Sequence, residues 1–177
     1  MVLHISFERK AYIKDIMRAS EDFALVAVTG DSGMGKLQTA IVAAEQMQFG
    51  RLIVANGHQY SQGYFGGFHE LFDYIFSNCS KVCPELVTAH EQAIKRLFPK
   101  VQSPHFKVPK DLTNTSEIEE RTRFYHHEYQ NKLLHDVFGF MAGYLEKAGE
   151  RVTLIIDRAD ELSRTAESFF TIISRKT

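Results

Sequence analysis

Residues 26–40 read VAVTGDSGMGKLQTA and join an apolar run to a run of helix formers through Gly30, Gly33 and Gly35. Glycine enters positive-φ backbone without the Cβ penalty that other residues meet. A turn built this way can point successive amides into one concavity, which is an anion-binding shape. Gly30, Gly35 and Lys36 also meet the spacing G-x-x-x-x-G-K of a loop that cradles nucleotide phosphates. The helix that follows adds the positive end of its dipole. The candidate nucleotide-binding residues are therefore Gly30, Asp31, Ser32, Gly33, Met34, Gly35, Lys36 and Leu37, with Lys36 reaching the terminal phosphates. A plain glycine turn with a solvated lysine is the competing reading. The strand-like run before the loop and the helical run after it favour the phosphate loop. The position after the lysine ordinarily carries Ser or Thr as a magnesium ligand, and here it is Leu37.

The flanking patterns place this loop in an α/β chain. FERKAYIKDIMRAS, residues 7–20, puts Ala11, Ile13, Ile16 and Met17 on one helical stripe. DFALVAVTG is a near-continuous apolar run, as expected of a strand buried on both faces of a parallel sheet. KLQTAIVAAEQMQ reads as a helix, and Leu52–Ala55 as a second buried strand after the stop at Gly50. Strand, helix and strand make a β-α-β unit with a right-handed crossover. A helical insertion over about 67–148 follows. One predicted helix carries Phe68, Leu71, Phe72, Ile75 and Phe76 on one face, and another begins at Pro84 and runs to Phe98. Ser116 and Glu119 form a capping box ahead of a long helix over 117–148, with a bend expected at Gly139 or Gly143. Its apolar positions are Ile118, Tyr125, Tyr129, Leu133, Val137, Met141 and Leu145, and Gly149 ends it. RVTLIID is a third buried strand, and Ser163 caps a last helix through Phe169, Ile172 and Ile173.

Composition narrows the function classes. With 21 basic and 22 acidic residues the formal net charge is −1, so no basic surplus marks a nucleic-acid surface. No stretch reaches the roughly 18 uninterrupted apolar residues of a spanning helix. The first residues, MVLHISFERK, lack the apolar segment of a secretory signal. Two cysteines, Cys79 and Cys83, do not make a disulfide framework. The expectation is a reduced, cytoplasmic protein.

A phosphate loop needs an acid partner on a neighbouring strand tip. LIIDRADEL supplies it, because an apolar strand ends in Asp157 and is followed by Asp160 and Glu161. Acids at the carboxyl ends of parallel strands lie at the ligand crevice. Asp157 is read as the magnesium ligand. For Asp160 and Glu161 the choice stays open between a catalytic role and simple complementarity to a following helix dipole. His69, Cys79, Cys83 and His90 are zinc-ligand types, but the cysteine spacing is not that of a zinc pair, and they read as core. His126, His127, Glu128 and His135 read as a polar helix face. Tyr60, Tyr64 and Phe65, in a glycine-rich loop, read as a partner contact.

Four stretches together resemble the P-loop ATPases of the AAA-like STAND group, which includes the NACHT proteins. VTGDSGMGK is similar to that family's phosphate loop, and LIIDRADEL to its hhhhD-x-x-D-E-L acid motif. SFERKAYIKDIM and ANGHQYSQGYFGGFHELFDYI resemble its leading segment and the stretch after its second strand, with Glu8 where glycine is usual. The resemblance implies a three-layer P-loop fold over 1–177 and a nucleotide-driven signalling switch that uses ATP and Mg2+. It implies that Asp157 holds the metal, that Asp160 or Glu161 polarises the attacking water, and that Arg9 lies near the adenine. Nothing in the residues decides between ATP and GTP.

Two departures shape the expectation. Leu37 cannot ligate magnesium, and Thr39 points to the other side of its helix. Arg158 stands where many AAA proteins carry a second acid. Binding is expected, with slow or absent hydrolysis. The family strand that inserts between the loop strand and the acid strand has no counterpart, so the sheet is expected to be incomplete at the C-terminus, as in a fragment of a larger protein. Expected partners are the nucleotide and other domains or copies of the chain, with no membrane and no nucleic acid. The alternative is a nucleotide-independent interaction module on a degenerate ATPase fold.

Overall fold

The computed structural model describes residues 7–22, 25–58, 65–98, 100–106 and 126–176. Among them are seven α-helices and a two-stranded parallel sheet. The order is α1 (Phe7–Asp22), α2 (Lys36–Met47), β1 (Arg51–Asn56), α3 (His69–Val82), α4 (Pro84–Ala89), α5 (Glu91–Leu97), α6 (His126–Ala148), β2 (Val152–Asp157) and α7 (Arg164–Lys176). A 3-10 turn, Ala159–Glu161, separates β2 from α7.

β1 and β2 pair in register from Arg51↔Val152 to Asn56↔Asp157. Side chains alternate across a strand, so Ile53 and Ala55 share one face and are buried. Val152, Leu154 and Ile156 line that same face of β2 and pack on the main core. Val54, on the other face of β1, stays 40% exposed. The expectation of strands buried on both faces is corrected: β1 is buried on one face, and β2 is half-buried on both. Gly50 permits the close entry of β1, since a Cβ there would lie 2.1 Å from the Arg151 carbonyl oxygen.

The main core is the contact surface between this face and helices α3 to α7. Phe68, Phe72, Phe140 and Phe169 are fully buried in it. The rings of Phe72 and Phe98 stack at 3.5 Å between centroids. Each such ring contributes about 1.5–3 kcal/mol by leaving water. Phe65 belongs here too, with its ring 4.9 Å from that of Phe169 and 5.1 Å from that of Phe98. It is a core residue, which corrects its reading as a partner contact. Tyr60 and Tyr64 lie outside the described residues.

Several helix ends follow their local chemistry. Ser163 Oγ accepts the Ala166 amide at 3.2 Å, the expected N-cap. Gly149 takes φ 62, and the Glu150 amide reaches back to the Leu145 carbonyl at 3.1 Å, closing α6 as a left-handed cap. The helix predicted from Pro84 to Phe98 is divided into α4 and α5 at His90, whose φ of −106° and ψ of 16° leave the helical region. The His90 ring lies against Phe140, at 6.2 Å between centroids, so packing on α6 dictates the break. α6 is one element, and Gly139 and Gly143 sit where His90 and Leu86 approach it. The capping box at Ser116 and Glu119, with Ile118 and Tyr125, lies outside the described residues. The buried positions of α6 are Leu134, Val137, Phe140, Met141 and Tyr144. This arc is wider than the predicted stripe, because α3, α4, α5 and α7 all press on the helix.

The N-terminal helices form a smaller cluster, with Ile13 of α1 against Val42 and Ala43 of α2 and with Ile16 and Met17 beside them. The run predicted as the first strand is not one. Residues 25–30 have no regular structure, and Leu25 and Val28 are exposed. β1 and β2 each keep an outer edge unpaired among the described residues, and residues 25–30 add to neither. The β-α-β unit expected across the loop is accordingly replaced by a coil, α2 and β1. The mixed α/β class holds; no third layer or further strand is described. No helix among the described residues is long and apolar enough to cross a membrane.

Cys79 and Cys83 are buried free thiols with Sγ atoms 3.7 Å apart. Burial, then the contact with Cys83, pushes the Cys79 thiol up to about 12, so it stays protonated and inert.

Hydrogen exchange resolved by residue tests the unpaired run. Amides 25–30 should exchange at near coil rates, while those of Ile53–Ala55 and Leu154–Ile156 are protected. Equal protection in all three segments would show a third strand in the sheet.

Candidate functional site

The glycine loop forms the N-terminal end of α2. Gly30, Gly33 and Gly35 all take positive φ, at 147°, 80° and 74°. Such angles turn the backbone sharply at three points across Gly30–Gly35, which any other residue would resist by about 1–2 kcal/mol. The first helical hydrogen bond runs from the Thr39 amide to the Gly35 carbonyl at 3.0 Å. The amides of Lys36, Leu37 and Gln38 thus begin α2 without helical partners. No side chain caps them and no acid sits in the first turn. Asp31, Ser32, Gly33 and Met34 line the exposed outer part of the loop.

Lys36 folds over this loop. Its Nζ donates to the Gly30 carbonyl at 2.7 Å and to the Asp31 carbonyl at 2.8 Å. Arg9, from α1, lies on the same spot. A Cβ at Gly35 would fall 2.9 Å from its Nη2 and 3.3 Å from its Cζ. Two cations therefore meet the positive end of a helix. Among the described residues, no carboxylate comes within ion-pair distance of either.

Leu37 is half-buried and carries no oxygen. The Thr39 hydroxyl donates to the Gly35 carbonyl at 2.9 Å and is buried, so it does not stand in. Magnesium wants oxygen ligands in near-octahedral array. The position after the lysine does not fit that ion. Among the described residues, no three His, Cys, Asp or Glu side chains gather closely enough to hold a metal.

The acid cluster sits at the carboxyl ends of the strands. Asp157, half-buried, is opposite Asn56 in the ladder, and its carbonyl accepts the Gly57 amide at 2.8 Å. Asn56 Oδ1 accepts the His58 amide at 2.9 Å. Glu161 pairs with His58 Nδ1 at 3.3 Å and with Arg158 Nη1 at 3.9 Å. Asp160 is exposed on the 3-10 turn. Arg158, with φ 54, turns the chain out of β2. Among the described residues, no hydrogen bond or ion pair links Asp157 to Lys36 or to the glycine loop. What relates the two clusters is connectivity. α2 packs on both strands, and three residues, Gln48–Gly50, carry its C-terminal end directly into β1.

One residue here, His58, escaped the sequence reading, and Arg9, expected near the adenine, lies beside Gly35. His58 could have been found as a polar side chain just past a parallel strand, where ligands gather. Nothing local marks Arg9 as a neighbour of Gly35, since only the packing of α1 on α2 brings them together. Comparison of the chain with family models, with curated proteins and with solved structures returned no match.

Gly35→Ala should destabilise the protein by about 1–2 kcal/mol from its positive φ and by more from the clash with Arg9. Adding Arg9→Ala should recover the clash alone. Denaturant unfolding of the single and double variants measures both parts, and full recovery would refute the backbone contribution.

Proposed function

We propose that this chain is an ATP-binding regulatory domain of P-loop type, a signalling switch with weak or no hydrolysis. The observation that carries this reading is the loop. Three positive-φ glycines, unpartnered helix amides and the Lys36 ammonium converge at the start of α2. Backbone amides and an ammonium bind phosphate oxygens without help from a metal. On ligand binding, Lys36 would exchange its two carbonyl partners for phosphate oxygens.

Hydrolysis requires more than binding. It requires an oriented water and charge neutralisation at the terminal phosphate. On this reading Asp157 faces the phosphates as the acid partner, and Asp160 and Glu161 are the candidate water-orienting groups. Glu161 is already engaged by His58 and Arg158, which ties it down. Leu37 leaves the loop without its hydroxyl. Both features support slow turnover, and the reading is of a domain that holds nucleotide and signals by conformation. ATP rather than GTP follows from the family resemblance.

A ligand that binds only the folded chain raises its melting temperature. ATP at a hundredfold over its Kd should stabilise the chain by about 2.7 kcal/mol, and Lys36→Ala should abolish most of that. A chain whose melting temperature ignores ATP is instead the nucleotide-independent interaction module. Leu37→Thr should make ATP binding more dependent on magnesium and raise phosphate release above the parent's rate. Titrations with and without Mg2+, and a phosphate assay, read both effects; identical curves for parent and variant would remove this account of the Leu37 position.

A further inference from the structure

The disagreement between the magnesium-dependent pattern and these residues leads further. Resting on the nucleotide reading above, we infer that this site takes its polyphosphate ligand without a metal ion, with Arg9 supplying the second positive charge beside Lys36. The guanidinium lies against Gly35, where a methyl would sit 2.9 Å from Nη2, so it overhangs the residue that opens α2. A cation at a helix N-terminus is repelled by the dipole. Here two cations share that end, with no acidic side chain in the first turn and no carboxylate in ion-pair reach among the described residues. A polyphosphate is the ligand class that relieves all three positive features at once. Arg presents a planar fork of donors to phosphate oxygens, which is stronger and more directional than a point charge.

Arg9 is thereby assigned to the phosphates rather than to the adenine. Gly35 immediately precedes Lys36, so a group stacked on it lies on the phosphate side of the loop. The sequence position that usually supplies the metal's hydroxyl ligand carries Leu37, whose aliphatic side chain is half-buried. The loop thus loses an ion-binding oxygen and carries a resident guanidinium within one helical turn.

The test titrates the full chain with ATP and, separately, with inorganic tripolyphosphate, each in excess EDTA and again in Mg2+. The variants are Arg9→Gln, Arg9→Lys, Lys36→Ala and, as a charge control on the exposed side of α1, Arg18→Gln. Isothermal titration supplies Kd, and the unliganded melting temperature of each variant checks its fold. The parent should bind both ligands in EDTA within about threefold of its affinity in Mg2+. Arg9→Gln should weaken both by about tenfold or more, as loss of a charge-assisted contact does. Arg9→Lys should recover part of the loss, and Arg18→Gln should change nothing. If the parent binds only in Mg2+, metal independence is wrong while the nucleotide reading stands. If Arg9→Gln weakens ATP but not tripolyphosphate, Arg9 serves the base and the inference fails. If Arg9→Gln weakens neither, it also fails. If no ligand binds in any arm, the nucleotide reading itself is gone. Should Arg9→Gln melt well below the parent, Arg9→Lys decides: charge kept with affinity for tripolyphosphate unrecovered overturns the role.

Discussion

The parallel pairing of β1 with β2 is the constraint on which the rest of the molecule depends. Parallel strands cannot be closed by a tight turn, so the chain between them must make a long return. Residues 57–151 make it, and the helices among them close over one face of the sheet. That face, built from Ile53, Val152, Leu154 and Ile156, meets the aromatic mass of Phe65, Phe68 and Phe169. Because the strands run the same way, their carboxyl ends coincide. Asn56 and Asp157 become neighbours, and the turns that follow bring His58 to Glu161. One hydrophobic surface thereby gathers polar residues that lie about a hundred positions apart in the chain.

The glycine loop has a different origin. It owes little to the main core and is held by α2, which packs on α1 through Ile13, Val42 and Ala43. Its chemistry is electrostatic. Helix amides without partners, an ammonium and a guanidinium all point the same sign of charge at one small region. Lys36 satisfies itself on the carbonyls of Gly30 and Asp31, which is what a lysine does when backbone oxygens are the nearest acceptors. The phosphate-binding proposal rests on this imbalance, and the choice of ATP on the sequence resemblance.

Much of the local structure was legible in the residues. α1, α2, α3 and α7 follow their apolar spacing, Ser163 caps where a serine should, and Gly149 stops α6 with its positive φ. The loop's glycines adopt the angles that their spacing implies. Other features were not legible. Residues 25–30 carry the same apolar signal as β1, yet they add to neither edge of the two-stranded sheet. The division at His90 depends on the Phe140 ring, and the burial of Phe65 depends on Phe98 and Phe169. None of these partners is near in sequence.

By itself, then, the sequence determined the helix caps at Ser163 and Gly149, the shape of the glycine loop and the missing hydroxyl at Leu37. These follow from side-chain and backbone chemistry acting over a few residues. Only the tertiary structure decided which apolar runs became strands, which face of the sheet was covered, and that Arg9 rests on Gly35. These are outcomes of competition for burial and pairing between distant segments, and the competition is settled only when the chain has folded.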